Sequence, residues 1–172
     1  MFRLAELYYE DAETAFLIAE ANFNEELQRF QEEITALGPD VSVEDLPEPP
    51  DQPLKDYSSS LNLYQRIADS YPDYDNIDGV FYMLGYCLTE ENALFPDRTT
   101  GLAALQKLVD RFPDSEFAND ANMRLGENYF DNNEIDAAIT HYQRIVDTGE
   151  EGRYFDKGLY KLAWSHYKLA SR

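Results

Sequence analysis

The stretch YQRIADSYPD, residues 64–73, returns as LQKLVDRFPD at 105–114 and, with its ending changed, as YQRIVDTGEE at 142–151. The copies begin at Tyr64, Leu105 and Tyr142, steps of 41 and 37 residues, and a second phrase keeps the same steps at Leu84-Gly85, Leu125-Gly126 and Leu162-Ala163. From Tyr71 to Leu84 and from Phe112 to Leu125 the interval is 13 residues both times. Two phrases recurring in fixed order mean one supersecondary unit used repeatedly, since a unit that cannot bury its apolar face alone buries it on its neighbours. Within the unit, apolar residues fall three and four apart, as in Ala138, Tyr142, Ile145 and Val146, which is one stripe of an α-helix. Pro72-Asp73 and Pro113-Asp114-Ser115 stop one helix, and their Asp or Ser can cap the next. No segment alternates strictly enough for a strand. The sequence predicts an all-α chain with helices at about 76–90, 98–111, 115–131, 134–147 and 154–170, after a longer region starting at residue 1.

Composition narrows the partners. The 172 residues carry 34 acidic and 14 basic side chains, a formal net charge of −20. Such a field repels phosphate backbones and anionic headgroups, which argues against nucleic acid and bare membrane. The imbalance is uneven: residues 1–60 hold fifteen Asp/Glu and three Lys/Arg, whereas 153–172 hold five Lys/Arg and one Asp. A solvated acidic face or a salt-adapted source is the first reading of this imbalance, and a head-to-tail attraction between the two ends is the alternative. The longest purely apolar run is about AFLIA at 15–19, short of the roughly 20 residues of a membrane span, so no direct membrane insertion is expected. Cys87 is the only cysteine and cannot close an intramolecular bridge, which leaves the redox compartment open.

These phrases resemble the tetratricopeptide repeat (TPR), a helix-turn-helix unit of about 34 residues carrying Leu-Gly, then Tyr, then Ala, an aromatic residue and Pro. The third copy fits best, with Leu125, Gly126, Tyr129, Ala138 and Tyr142; Asn122 departs where a large apolar residue is usual, and Glu150 where Pro is. The second keeps Phe81, Leu84, Gly85, Leu105, Leu108 and Pro113, but has Leu88 for the Tyr, Gly101 for the Ala and about four extra residues around NALFPDRT. The last helix matches as a first helix, with Leu159, Leu162 and Ala163 and with His166 where Tyr is common. At the start, Leu4-Ala5 and Tyr8 take the Leu-Gly and Tyr places, and Ser60, Tyr64, Ile67 and Pro72 belong to the companion helix. Leu4 to Tyr64 is 60 residues where Leu125 to Tyr142 is 17, so the first repeat carries an insertion of 43.

That insertion has two parts. Phe16, Phe23, Phe30 and Leu37 recur every seven residues, with Leu27 and Ile34 four past two of them, a heptad-like seam on a long helical extension that must lie against something. GPDVSVEDLPEPPDQP at 38–53 then holds five of the eight prolines and reads as an extended or loosely ordered connector. The resemblance thus implies a TPR-like α-solenoid, a right-handed superhelix of helix-turn-helix repeats with a long helical insertion in the first. Repeat one takes 1–10 and 57–72, the extension and connector 11–56, repeat two 76–113, repeat three 114–150, and the first helix of repeat four 153–172. The chain opens inside one repeat and closes in half of another, so it is expected to be a piece of a larger protein.

No phosphate-binding Gly loop, paired-Cys spacing, His-Glu-x-x-His or Gly-x-Ser-x-Gly occurs, so no enzyme, cofactor or metal is predicted. His166 falls in a packing stripe and is expected in the core, and His141, next to Thr140, is expected in solvent. DYDNIDG at 73–79 has Ile77 and Leu84 where a calcium loop wants oxygen ligands, and its acids suit a helix N-terminus instead.

Function is therefore expected from surface. In TPR domains the first helices line the concave side, and the resemblance implies Phe2, Arg3, Glu6 and Tyr9; Tyr82, Met83 and Tyr86; Met123, Arg124, Glu127 and Phe130; and Tyr160, Lys161, Trp164, Tyr167 and Lys168. A row so rich in Tyr, Trp, Met and Arg suits a peptide or helix of a protein partner. The competing reading is that several of these side chains only pack between repeats or cover the Phe16–Leu37 seam. Met123, Tyr160 and Tyr82 stand where a carboxylate-clamping TPR domain wants polar residues, so that activity is not expected. The run from Phe112 to Asp147, followed by FDKGLYKLAWSHYKL, resembles bacterial cell-envelope TPR proteins of outer-membrane assembly, cell-division and gliding types, which implies a scaffold in the periplasm or envelope, with the cytoplasm also compatible. A homo-oligomerisation module, or a regulatory arm of an enzyme encoded elsewhere, is the alternative.

Overall fold

The computed structural model describes residues 1–38 and 42–171. Among them are seven α-helices and no strand: α1 Phe2–Leu37, α2 Ser58–Ser70, α3 Ile77–Thr89, α4 Arg98–Arg111, α5 Ala118–Asp131, α6 Ile135–Val146 and α7 Phe155–Ala170. The fold is all-α and TPR-like, with each helix packed closely on the next in sequence. Four predicted helices match to within a residue at each end. The exception is α5, which begins at Ala118 because residues 115–117 form a turn in which Ser115 Oγ accepts from Phe117 N at 3.2 Å and donates to Asp78 Oδ2 at 2.6 Å. Asp97 caps α4, accepting from Thr100 N at 3.0 Å.

The two Leu-Gly phrases set the closeness of the hairpins. A Cβ on Gly85 would stand 2.4 Å from the Leu105 side chain, and one on Gly126 would stand 2.6 Å from the Tyr142 ring. The first helix of each hairpin thus meets its companion backbone to side chain, and Leu105 and Tyr142 are fully buried. One core joins Ala5, Tyr64, Ile67, Val80, Leu84, Leu105, Leu108, Ala121 and Leu125 across α1 to α5, and a second joins Met123, Ala138, Tyr142, Ile145 and Leu162 across α5 to α7.

The first helix and its extension are one uninterrupted 36-residue helix, about 54 Å long at 1.5 Å per residue. Ala5 and Phe16 are buried on one face, and the same face continues outward as Phe23, Leu27, Phe30 and Ile34, all half-buried. Leu4 and Tyr8, 44% and 40% exposed, lie off that face, because no other described helix covers their side. The connector is more ordered than its composition suggests. After a 3₁₀ turn at Val43–Asp45, Pro47, Pro50 and Pro53 are half-buried at the three-residue period of polyproline II, while Glu48, Pro49, Asp51 and Gln52 are exposed. The part of the predicted connector at 39–41 lies outside the described residues. Its far end is fastened at Lys55, whose Nζ contacts Glu13 at 3.1 Å and whose N and O bond Asn92 O at 2.6 Å and Leu94 N at 2.8 Å. Tyr57 donates to the same Glu13 carboxylate.

Both histidine expectations are corrected. His141 is 5% exposed, with Nδ1 2.9 Å from Asn122 Oδ1 and its ring stacked on Tyr129 at 5.4 Å. Helix α6 packs on both α5 and α7, so its buried arc is wider than the single stripe that sequence periodicity marks. His166 is exposed, because no described helix covers that face of α7.

Candidate functional site

The predicted row divides into three groups. The first binds α1, α3 and α5 together. Tyr9 stacks on Tyr57 at 5.5 Å and meets Tyr86 edge-on at 6.1 Å. Tyr82 stacks on Phe117 at 4.8 Å and donates its hydroxyl to Asp120 Oδ2 at 2.6 Å. Arg124 lies 4.4 Å from the centre of the Tyr86 ring and 3.3 Å from Asp120 Oδ1. Burial works against the guanidinium charge, but Asp120 and the two tyrosines more than offset it, and the Arg124 pKa is raised. Burial, reinforced by Asp120, raises the Tyr82 phenol. Phe2 turns into the packing, edge-on to Tyr64 at 5.9 Å, and Met83 lies against Tyr57, Cys87 and Ala93. Arg3 pairs with Glu6 at 3.3 Å and with Glu10 at 3.6 Å on the surface of α1.

The second group joins α5 to α7. Glu127 Oε1 receives both Lys157 and Lys161 at 3.1 Å, and these lysines hold its carboxyl below the usual range although burial pushes the other way. Lys168 lies 4.2 Å from the Phe130 ring centre. Met123 corrects an expectation: at 2% exposed it is a core side chain under Leu162 and Tyr142, because α7 packs over it, and it offers nothing to a partner.

The third group is on α7 alone. Tyr160, Trp164 and Tyr167 are 66%, 50% and 64% exposed, and the last two rings stack at 5.4 Å. Their spacing of four and three residues puts them on one side of the helix, beside Lys161 and Lys168. Much of the row upstream is therefore a ladder between successive first helices, and on α7 the same kind of side chain is open.

Sequence reasoning missed two features. Asp120, four residues before Arg124, is the hinge of the first group, and that i,i+4 spacing was the available signal. A polar cleft of about 280 Å³ opens between α3, α4 and α5, with Glu90, Glu91, Arg98, Arg124, Glu127 and Asp131 in its walls. Arg124 and Glu127, beside Leu125-Gly126, belong to the predicted row, whereas Glu90, Glu91, Arg98 and Asp131 come from helix ends that no repeat phrase marks. Cys87 offers no nucleophile, since burial pushes its thiol up to about 12. Asp78, from the DYDNIDG segment, is committed to Ser115.

Comparison with known proteins gives two matches. A family model described as "YfiO: Outer membrane lipoprotein" matches residues 54–145, just over half of the chain. The outer membrane protein assembly factor BamD of Caulobacter vibrioides is 23% identical over 131 residues, covering 66% of this chain and 43% of that protein. The chain thus spans less than half the length of this curated relative.

Proposed function

Because the chain belongs to the YfiO family of outer membrane lipoproteins, we propose that it is a non-catalytic scaffold of outer-membrane assembly in the bacterial cell envelope, and that it grips a partner polypeptide on its row of first helices. The name of the Caulobacter relative, an assembly factor, supports the process. The observation that carries the binding reading is the open aromatic row of Tyr160, Trp164 and Tyr167 next to two lysines, whereas Tyr9, Tyr82 and Tyr86 upstream in the same row are engaged with neighbouring side chains. Large rings with polar tips lose little entropy on binding and concentrate contact energy. Lys161 and Lys168 would meet acidic groups of the partner, and the polar cleft at Arg98 and Glu90 extends the surface toward α3.

The test is site-specific photo-crosslinking in intact envelopes, with the photoreactive residue at position 160 or 167, or at the convex, exposed Ala103 as control. The expected result is one discrete adduct with an envelope protein from 160 and 167, absent from 103 and abolished by Trp164→Ala. Equal labelling from all three positions, or outer-membrane protein levels unchanged when the chain is depleted, would overturn the reading.

A further inference from the structure

Helix α1 ends at Leu37, and the chain is fastened to it again at Lys55, which is bonded to Glu13, 24 residues and about 36 Å back along the helix. The proline-rich connector therefore returns along the outer part of α1 as a strap along an arm. On the strap Pro47, Pro50 and Pro53 are half-buried while Glu48, Asp51 and Gln52 are in solvent, and on the arm Phe23, Leu27, Phe30 and Ile34 are half-buried. Among the described residues α2 is the only helix packed closely on α1, and it begins at Ser58, past the Lys55 root. The two half-buried edges cover each other.

Their steps agree. Seven residues of α-helix advance about 10.5 Å and three residues of polyproline II about 9.3 Å, so prolines three apart keep pace with Phe16, Phe23 and Phe30 seven apart. Prolines at that spacing laid on a row of aromatic rings are the means by which proline-rich ligands are recognised. The seam has the form of a polyproline site, and the chain's own strap fills it.

The strap carries the wrong charge for that seat. At the root Lys55 shows what suits it, with Nζ 3.1 Å from Glu13 and 5.0 Å from the Phe16 ring centre. Glu20 precedes Phe23 by three residues as Glu13 precedes Phe16, and Glu26 and Glu33 border the seam three past Phe23 and Phe30. Against these acids residues 42–54 bring Glu44, Asp45, Glu48 and Asp51 and no Lys or Arg. Arg29, the only base at 14–37, pairs with Glu25 at 3.8 Å in solvent. Apolar contact thus holds the strap against like-charge repulsion, and a ligand with the same prolines and the opposite charge has both forces in its favour.

We propose that the seam at Phe16, Phe23 and Phe30 is a binding site for a proline-rich segment of a partner protein, with Pro at every third position and Lys or Arg between, and that the acidic strap covers it in cis until such a segment displaces it. The site lies on the arm of α1, away from α7, so the inference goes beyond the reading given above, and the crosslinks from positions 160 and 167 succeed or fail independently of it.

The probe is a fluorescein-labelled synthetic peptide of residues 42–54 carrying E44K, D45K, E48K and D51K, titrated into the full chain at about 10 mM and about 150 mM NaCl and followed by anisotropy. Saturable binding is expected, tighter at the lower salt and about ten-fold weaker for the peptide of natural sequence. Adding P47S, P50S and P53S to the basic peptide should weaken it about ten-fold. Phe30→Asp in the chain should do the same, although it adds an acid and charge alone would tighten binding; the residue belongs to neither core, so the fold survives the change. The three proline-to-serine substitutions made in the chain's own strap should tighten binding of the basic peptide several-fold by loosening the cover. Binding that ignores the prolines, or that Phe30→Asp strengthens, is attraction to an acidic surface alone and overturns the proposal, as does no binding at either salt concentration. Unchanged affinity after the strap is loosened also overturns it, because the strap then covers a different place.

Discussion

Asn122 and His141 put a polar contact where the third hairpin would ordinarily hold apolar side chains. Burial and the nearby Arg144 depress the imidazole pKa to about 4, against an ordinary value of 6.5. A depressed folded-state value means the unfolded chain takes up the proton first, so this contribution is complete above about pH 6.5 and is lost as pH falls toward 4. That window is worth at most about 3 kcal/mol. The Asn122→Leu/His141→Leu double variant should therefore lose less stability than the unaltered chain between pH 7 and 4.5 in urea titrations, the difference isolating the pair from the carboxylates; identical slopes would refute it. Gly85→Ala tests the hairpin contact. Ala is the better helix former by about 1 kcal/mol, yet its Cβ would meet Leu105 at 2.4 Å, with the Gly101 carbonyl at 3.1 Å behind. We expect a net loss of about 2 kcal/mol by thermal denaturation. Gly85 and Gly126 were legible because the phrase repeats them. The histidines were not, because a single apolar stripe describes a helix with one neighbour, and α6 has two while the outer side of α7 has none among the described residues.

At the scale of the element, α1 is two things in one helix. From Phe2 to Phe16 it is a repeat helix packed on α2, and from there to Leu37 it is an arm. The seam from Phe16 through Phe23, Leu27, Phe30 and Ile34 was readable from its seven-residue recurrence, but Leu37, where the same recurrence places its end, is 44% exposed at the last residue of α1. Its order on the connector side was not, because a segment with period three, Pro47, Pro50 and Pro53, carries no helical or strand signal. The junction is fixed by Glu13, which takes Lys55 and Tyr57 together, with the Lys55 ammonium 5.0 Å from the Phe16 ring centre. The Lys55 side chain is only 11% exposed, so removing its acid strands a charge. Glu13→Ala should cost roughly 2 kcal/mol and accelerate amide exchange across 42–57, both measurable on one sample. By contrast, Phe30→Asp should speed exchange in 20–37 with the global unfolding midpoint nearly unchanged, since nothing in the two cores touches that residue. A cooperative loss of the whole fold by Phe30→Asp would show the arm to be part of the core.

For the molecule as a whole, stability is a sum of neighbour contacts working against a field. Among the described residues, close packing runs from each helix to the next in sequence. The formal charge of −20 is concentrated in residues 1–60, where fifteen acids face three bases, and most of the ion pairs there are exposed. Exposed pairs contribute about 0–1 kcal/mol each, less than the repulsion among so many uncompensated carboxylates. Salt decides between these effects, because it weakens both while the repulsion is the longer in reach. The Debye length shrinks from about 30 Å at 10 mM to about 8 Å at 150 mM, shorter than most spacings along α1. Raising NaCl over that interval should therefore raise the melting temperature by a few degrees, with the gain in amide protection concentrated in α1 and α2 rather than in α5 to α7, where nine Asp/Glu face six Lys/Arg and the imbalance is smaller. A melting temperature that falls with salt would mean that attraction, including any pull between the acidic beginning and the basic final helix, outweighs repulsion in this chain.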